Sequence, residues 1–262
     1  MGNIFEAMEW QRRDCRNPVR PVRASRAAPA GATRAVSIAR FNAGRLRANP
    51  GAAAYYTELK NRFLSLYGGQ DVRTILFAGV EPGVGATSCA VHFAGALSRE
   101  HQHGVLLIDT DFARHNLDRY FNTRRNYSLM NLDGAAGAPT RGFLAPPVEG
   151  GHLYVVPSTG GGANARRASG VLQSPGFRHF VGDMRGHFDY TVLDAPPLRL
   201  GSDTAYLSGQ VDGVVLVIEA GRTPRWRIEE ARGLIQEAGG RTLGVVLNRR
   251  RYPIPGWLYR LL

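Results

Sequence analysis

Six short apolar runs punctuate the chain between residues 74 and 248: TILFAGV (74–80), GVLLIDTD (104–111), LYVVPS (153–158), DYTVLDAPP (189–197), GVVLVIEA (213–220) and TLGVVLN (242–248). Each is nearly continuous instead of alternating with polar residues, which is the pattern of a strand buried on both faces. Stretches with helical spacing separate them, near 87–101, 116–121, 168–185, 202–209 and 223–238. This alternation predicts an α/β fold, a doubly wound and mostly parallel sheet with helices on both sides. Upstream, YYTELKNRFLSLYG places Tyr56, Leu59, Phe63 and Leu66 at helical spacing, with Gly68 and Gly69 as a stop. At the start of the chain Ile4, Phe5 and Met8 share one face of a short amphipathic helix, with Trp10 off that stripe. No repeat of fixed period is present, which argues against a solenoid.

Between these patterns, residues 14–54 mix Arg with Ala, Pro and Gly and read as a disordered basic linker. The expected organisation is a helix at 1–13, the linker at 14–54, one domain at 55–250, and a basic, aromatic tail at 251–262. A chain of 262 residues is long enough for one such core. Charge changes the picture: 33 Lys+Arg stand against 21 Asp+Glu, a net +12, and Lys60 is the only lysine. The arginine surplus fits both the coding habit of a GC-rich genome and attraction to an anionic partner. Cys15 and Cys89 supply neither a disulfide framework nor metal-ligand spacing, and no run reaches the ~20 apolar residues of a membrane span. The N-terminus lacks the apolar core of a signal peptide, and Glu6 breaks the myristoylation pattern that Met1-Gly2 begins. A reduced, cytoplasmic setting is expected. The histidines are scattered, and His101 and His103 have no carboxylate arranged with them as a ligand set. Pro224 suits the first turn of its helix, where Trp226 is expected to pack on the sheet or at an interface.

Chemistry gathers at three strand ends, where open parallel sheets bind their ligands. FAGVEPGVGATS runs strand, glycine turn, helix, so backbone N–H groups of Val84, Gly85, Ala86 and Thr87, flanked by Gly83 and Ser88, point at a phosphate. Thr87 stands where such loops place the hydroxyl that holds Mg²⁺. LLIDTDF ends on Asp109 and Asp111, and TVLDAPP ends on Asp194, a position suited to a metal ion held directly or through water. The expected Mg²⁺ site is therefore Thr87, Asp109, Asp111 and Asp194. Asp109 and Asp111 are the candidate catalytic residues if the site is active.

With these motifs the chain resembles the bacterial tyrosine kinase (BY-kinase) domain, which is related to the MinD/ParA-type P-loop ATPases and works beside chain-length regulators in capsule and exopolysaccharide synthesis. The resemblance runs from about 56 to 249 and touches the MGNIFEAMEW start; PGVGAT, DTDFAR and DAPP match Walker A, A′ and B. It implies bound ATP or ADP with Mg²⁺, and Asn248 facing the adenine. Three parts depart from the family. Ala86 stands where Walker A has lysine, so nucleotide binding is expected to be weak or lost and the chain to act as a pseudokinase. Ala113 stands where Walker A′ has arginine, with Arg114 one place later. The tail offers only Tyr252 and Tyr259 for phosphorylation, and the ring-assembly helix keeps only Lys60 in AYYTELK.

The resemblance also implies a partner, a membrane-embedded chain-length regulator or co-polymerase, and a place at the inner face of the membrane. Candidate handles are the Ile4/Phe5/Met8 face and the arginines of linker and tail, where Arg249–Arg251 precede Trp257, Leu258 and Leu261 beside an anionic surface. Self-association stays open. So do two alternatives: an active autokinase or ATPase using a substitute arginine, and a ParA-like DNA-associated ATPase. Against nucleic acid, the linker lacks interleaved aromatics and no recognition helix is visible.

Overall fold

The computed structural model describes residues 50–99, 104–114, 116–121, 129, 152–158 and 170–249. The expected helix at 1–13, the linker up to residue 49 and the tail at 251–262 lie outside the described residues.

All six expected strands form. In chain order the elements are α1 (Pro50–Tyr67), β1 (Thr74–Gly79), α2 (Ala86–Leu97), β2 (Val105–Asp109), a 3₁₀ turn (Asn116–Arg119), β3 (Leu153–Val156), α3 (Pro175–His187), β4 (Tyr190–Ala195), α4 (Ser202–Ser208), β5 (Gly213–Glu219), α5 (Arg225–Glu237) and β6 (Thr242–Asn248). The strands pair in parallel in the order β3-β2-β4-β1-β5-β6. Helix α1 begins at Pro50, inside the stretch expected as linker, because proline suits the first helical turn and a run of alanines follows it. The helix expected near 168–185 has its long segment from Pro175, where the Ser174 hydroxyl accepts from the Phe177 N–H at 3.1 Å. That expected at 116–121 is a single 3₁₀ turn.

The pleat divides each strand between two cores. On one side Leu76, Leu193 and Leu216 pack against Phe177, Phe180, Met184, Leu207 and Ile235 from α3, α4 and α5. On the other, Ile75, Phe77 and Val192 meet Phe63 of α1 and Phe93 of α2. Phe63 touches Phe93 edge-on at 5.4 Å and Tyr190 at 5.9 Å, the aromatic geometry that adds to simple burial. Both faces being covered is the reason that the strands read as continuous apolar runs. Lys60 is almost wholly buried on α1, so it is not presented for the assembly contact that the resemblance implied. Trp226, expected on the sheet or at an interface, does not pack on the sheet: it is 60% exposed with the Arg227 guanidinium over its ring at 4.7 Å.

No helix among the described residues is long and apolar enough to cross a membrane.

Candidate phosphate site at the strand ends

Strand β1 delivers the chain into a turn that only glycine accommodates easily. Gly83 and Gly85 take φ of 79° and 91°, in the left-handed region. A Cβ on Gly85 would collide with the Asn248 amide nitrogen. Helix α2 then opens at Ala86 with no side-chain cap and no acid in its first turn, so its N–H groups and its dipole remain directed at whatever occupies the space in front.

That space is a cavity of about 470 Å³. The turn contributes Glu81 through Ser88 to its wall; Asp111, Arg114, Asn116 and Tyr120 come from the segment after β2, and Ala195 and Pro197 from the end of β4. The expected phosphate-binding residues Gly83, Val84, Gly85, Ala86, Thr87 and Ser88 thus line one cavity, and Ala86 presents a methyl group where a cation was looked for. Asn248, expected to face the adenine, lies beside this turn at the end of β6. Its Nδ2 donates to the Val84 carbonyl at 2.8 Å and its Oδ1 accepts from the Arg249 N–H at 2.9 Å, so the amide braces the turn from β6.

The three aspartates sit behind the turn. Parallel pairing sets Asp109 beside Asp194 on neighbouring strands. Asp109 accepts from the N–H groups of Asp111 (2.9 Å) and Leu117 (3.3 Å) and from the Ser158 hydroxyl (3.0 Å). Asp111 accepts from Ala113 N–H and from Asn116 Nδ2, both at 3.2 Å. Asp194 is different: it is fully buried and neither oxygen receives a hydrogen bond of good geometry, although the Thr87 hydroxyl is close enough to favour its ionised form. Burial is the leading cause that lifts both Asp194 and Asp109 above the usual carboxylate range, Asp109 to about 7, and their mutual proximity pushes the same way.

Among the described residues no three His, Cys, Asp or Glu side chains converge as a metal cage. The lone pairs of Asp109 and Asp111 are largely committed to protein donors, which leaves the Thr87 hydroxyl and the bare Asp194 as the groups that fit a Mg²⁺ ion carried on a phosphate, with water between. Sequence reasoning did not find Asn116, Tyr120 or Ser158. Ser158 did carry a signal, since it ends a strand run, but its bond to Asp109 spans 49 positions. Tyr120, whose hydroxyl lies 2.5 Å from the Ser88 hydroxyl, and Asn116 carried none. Cys89 is inert beneath the turn, its thiol pushed up to about 12 by burial.

No protein-family model matches the chain. Tyrosine-protein kinase CpsD of Streptococcus pneumoniae is 28% identical over 183 residues, 69% of this chain and 78% of the relative. The crystal structure of the VpsO kinase domain superposes with a TM-score of 0.64 at 25% identity, covering 80% of this chain and 98% of that one. Over about two thirds of its length the chain is similar to bacterial tyrosine kinases. The similarity extends to larger proteins: the succinoglycan biosynthesis transport protein ExoP of Rhizobium meliloti is 26% identical over 182 residues, which is 69% of this chain and 23% of ExoP. The fold is the α/β P-loop type that ParA-family ATPases share.

Proposed function

We propose that this chain is a pseudokinase of the bacterial tyrosine-kinase family, which binds nucleotide weakly and supports exopolysaccharide or capsule synthesis by docking on a membrane chain-length regulator. The observation that carries the reading is Ala86 on the wall of an otherwise complete phosphate cavity. Lysine at that position bridges the phosphates and counters the charge that builds up on a transferring phosphoryl group. A methyl group there leaves the N–H groups of α2 able to hold an anion but removes their main partner in catalysis. Each remaining part keeps a binding duty: the glycine turn receives the phosphate, Asn248 braces the Val84 carbonyl, and Thr87 and Asp194 would hold Mg²⁺. The ion would supply the positive charge that three nearby carboxylates otherwise oppose. The relationship to ExoP, a biosynthesis transport protein, supports the pathway assignment. Docking at the inner membrane face rests on the Ile4/Phe5/Met8 stripe and the basic linker and tail.

Purified full-length protein with Mg²⁺ and ATP is expected to show tyrosine phosphorylation and hydrolysis at background level. Ala86→Lys is expected to strengthen ATP binding by about 1.5–3 kcal/mol, the usual contribution of a charge-assisted contact. Robust turnover by the parent protein, abolished by Asp109→Ala, would overturn the pseudokinase reading. In cells, deletion of residues 1–13 together with neutralisation of Arg249–Arg251 should release the protein from the membrane and lower polymer output. Unchanged association and output would sink the docking model.

A further inference from the structure

Among the described residues lining the cavity, Arg114 is the only cation, while Glu81 and Asp111 are the anions. Glu81 is already matched: an Arg227 guanidinium nitrogen lies 2.8 Å away, at an angle that makes an ion pair instead of a hydrogen bond, and Arg199 is 3.9 Å away. Asp111 is held by Ala113 N–H and Asn116. The link from Arg114 to Asp111 is a long one, 3.9 Å, and the arginine side chain is 40% exposed. A pair of that length at an open rim contributes little. Arg114 can leave it, and Asp111 keeps both its other donors when it does.

An incoming polyphosphate needs such a group. The α2 N–H groups attract it, but Asp111 lines the same cavity, Asp109 and Asp194 are buried at the neighbouring strand ends, and Ala86 supplies no counter-charge. We propose that Arg114 is the phosphate-recognising cation of this site: on binding of a nucleoside di- or triphosphate it exchanges Asp111 for phosphate oxygens. Its planar fork suits two phosphate oxygens at once, which a single ammonium does not match. Its anchorage also explains why binding and catalysis separate. The Walker lysine issues from the first turn of a rigid helix, whereas Arg114 issues from a three-residue turn closed by its own N–H to the Asp111 carbonyl at 3.2 Å. A cation on that mounting neutralises charge without being held in line for transfer. The inference rests on the nucleotide-site reading given above.

The test is nucleotide affinity of the full chain, by calorimetry with ATP and with ADP in the presence of Mg²⁺. Arg114→Ala is expected to lose roughly tenfold to a hundredfold in affinity, the range of a charged hydrogen bond. Arg114→Lys should retain part of it, and Ala86→Lys combined with Arg114→Ala should recover it. The ligand-free melting temperature of Arg114→Ala should match the parent, which separates lost recognition from lost folding. Equal affinity of parent and Arg114→Ala would overturn the assignment and leave the site reading standing. Binding by Ala86→Lys with none by the parent would do the same. Absence of binding by both would overturn the site reading itself, and the role of Arg114 with it.

Discussion

At one end of the sheet a partly exposed aspartate is saturated with partners; at the other a fully buried aspartate has no hydrogen bond of good geometry. Asp212, just ahead of β5, accepts from the N–H groups of Arg73 at 2.8 Å and Thr74 at 2.7 Å and pairs with Arg185 at 2.6 Å. Arg185 reaches on to Asp71 at 3.2 Å. The cluster ties α3, β1 and β5 together where no ligand is expected. Asp194, at the carboxyl end of β4, is fully buried with both oxygens bare. Burying a charge without partners destabilises a fold, and its place next to a glycine turn and Thr87 fits the binding role proposed for that end of the sheet. One end contributes stability and the other gives some of it up for a site.

The largest expected effect lies at the saturated end. Asp212→Ala removes an ion pair and strands two backbone N–H groups, so a loss of roughly 2–3 kcal/mol is expected in urea unfolding, after allowance for the partly exposed Arg185. A loss below about 0.5 kcal/mol would erase the contrast between the ends.

The bare end should respond in the opposite direction. The carboxyl of Asp194 is raised well above 3.8 and that of Asp109 to about 7, so the folded chain holds protons which the unfolded chain releases from about pH 4. Stability from these groups is therefore present below about pH 4 and declines as pH rises through about 7. Asp194→Asn should stabilise by about 1 kcal/mol at pH 8, a rise of some 2–4 °C in melting temperature, with the gain fading toward pH 4. Equal destabilisation at both pH values would show Asp194 to be an ordinary structural residue.

The smallest effect sharpens the boundary of the site. Asn248→Ala should cost about 1 kcal/mol, because it releases the Val84 carbonyl. If the amide braces the turn, affinities for ATP and for inorganic tripolyphosphate should fall together. A loss confined to ATP would return Asn248 to the adenine.

Much of this molecule was legible in one dimension. The six strands were, since a strand buried on both faces leaves an unbroken apolar run, and so was the phosphate turn, whose glycines at 83 and 85 follow from backbone sterics. The helix starting at Pro50 was hidden by the alanine and arginine composition around it. Asn248 was assigned by likeness to the family, and likeness does not report which atoms an amide bonds. Trp226 was expected on the sheet or at an interface, and only the first is excluded, because hydrophobic size alone does not say which helix face turns inward; Ala231 and Ile235 take the buried face of α5.

What the sequence by itself determined was the kind of sheet, the glycine turn at the end of β1 and the alanine that follows it, all of which are properties of neighbours within a few residues. Only the tertiary structure decided which aspartate is satisfied and which is bare, and that Arg114 shares a cavity with Ala86. The physical reason is range. Backbone conformation and periodicity act over a turn or a strand, whereas the partners of an acidic side chain are chosen by packing, and here Asp212 finds its donor Arg73 across 139 positions while Asp194 has only the nearby Thr87 hydroxyl and no hydrogen bond of good geometry.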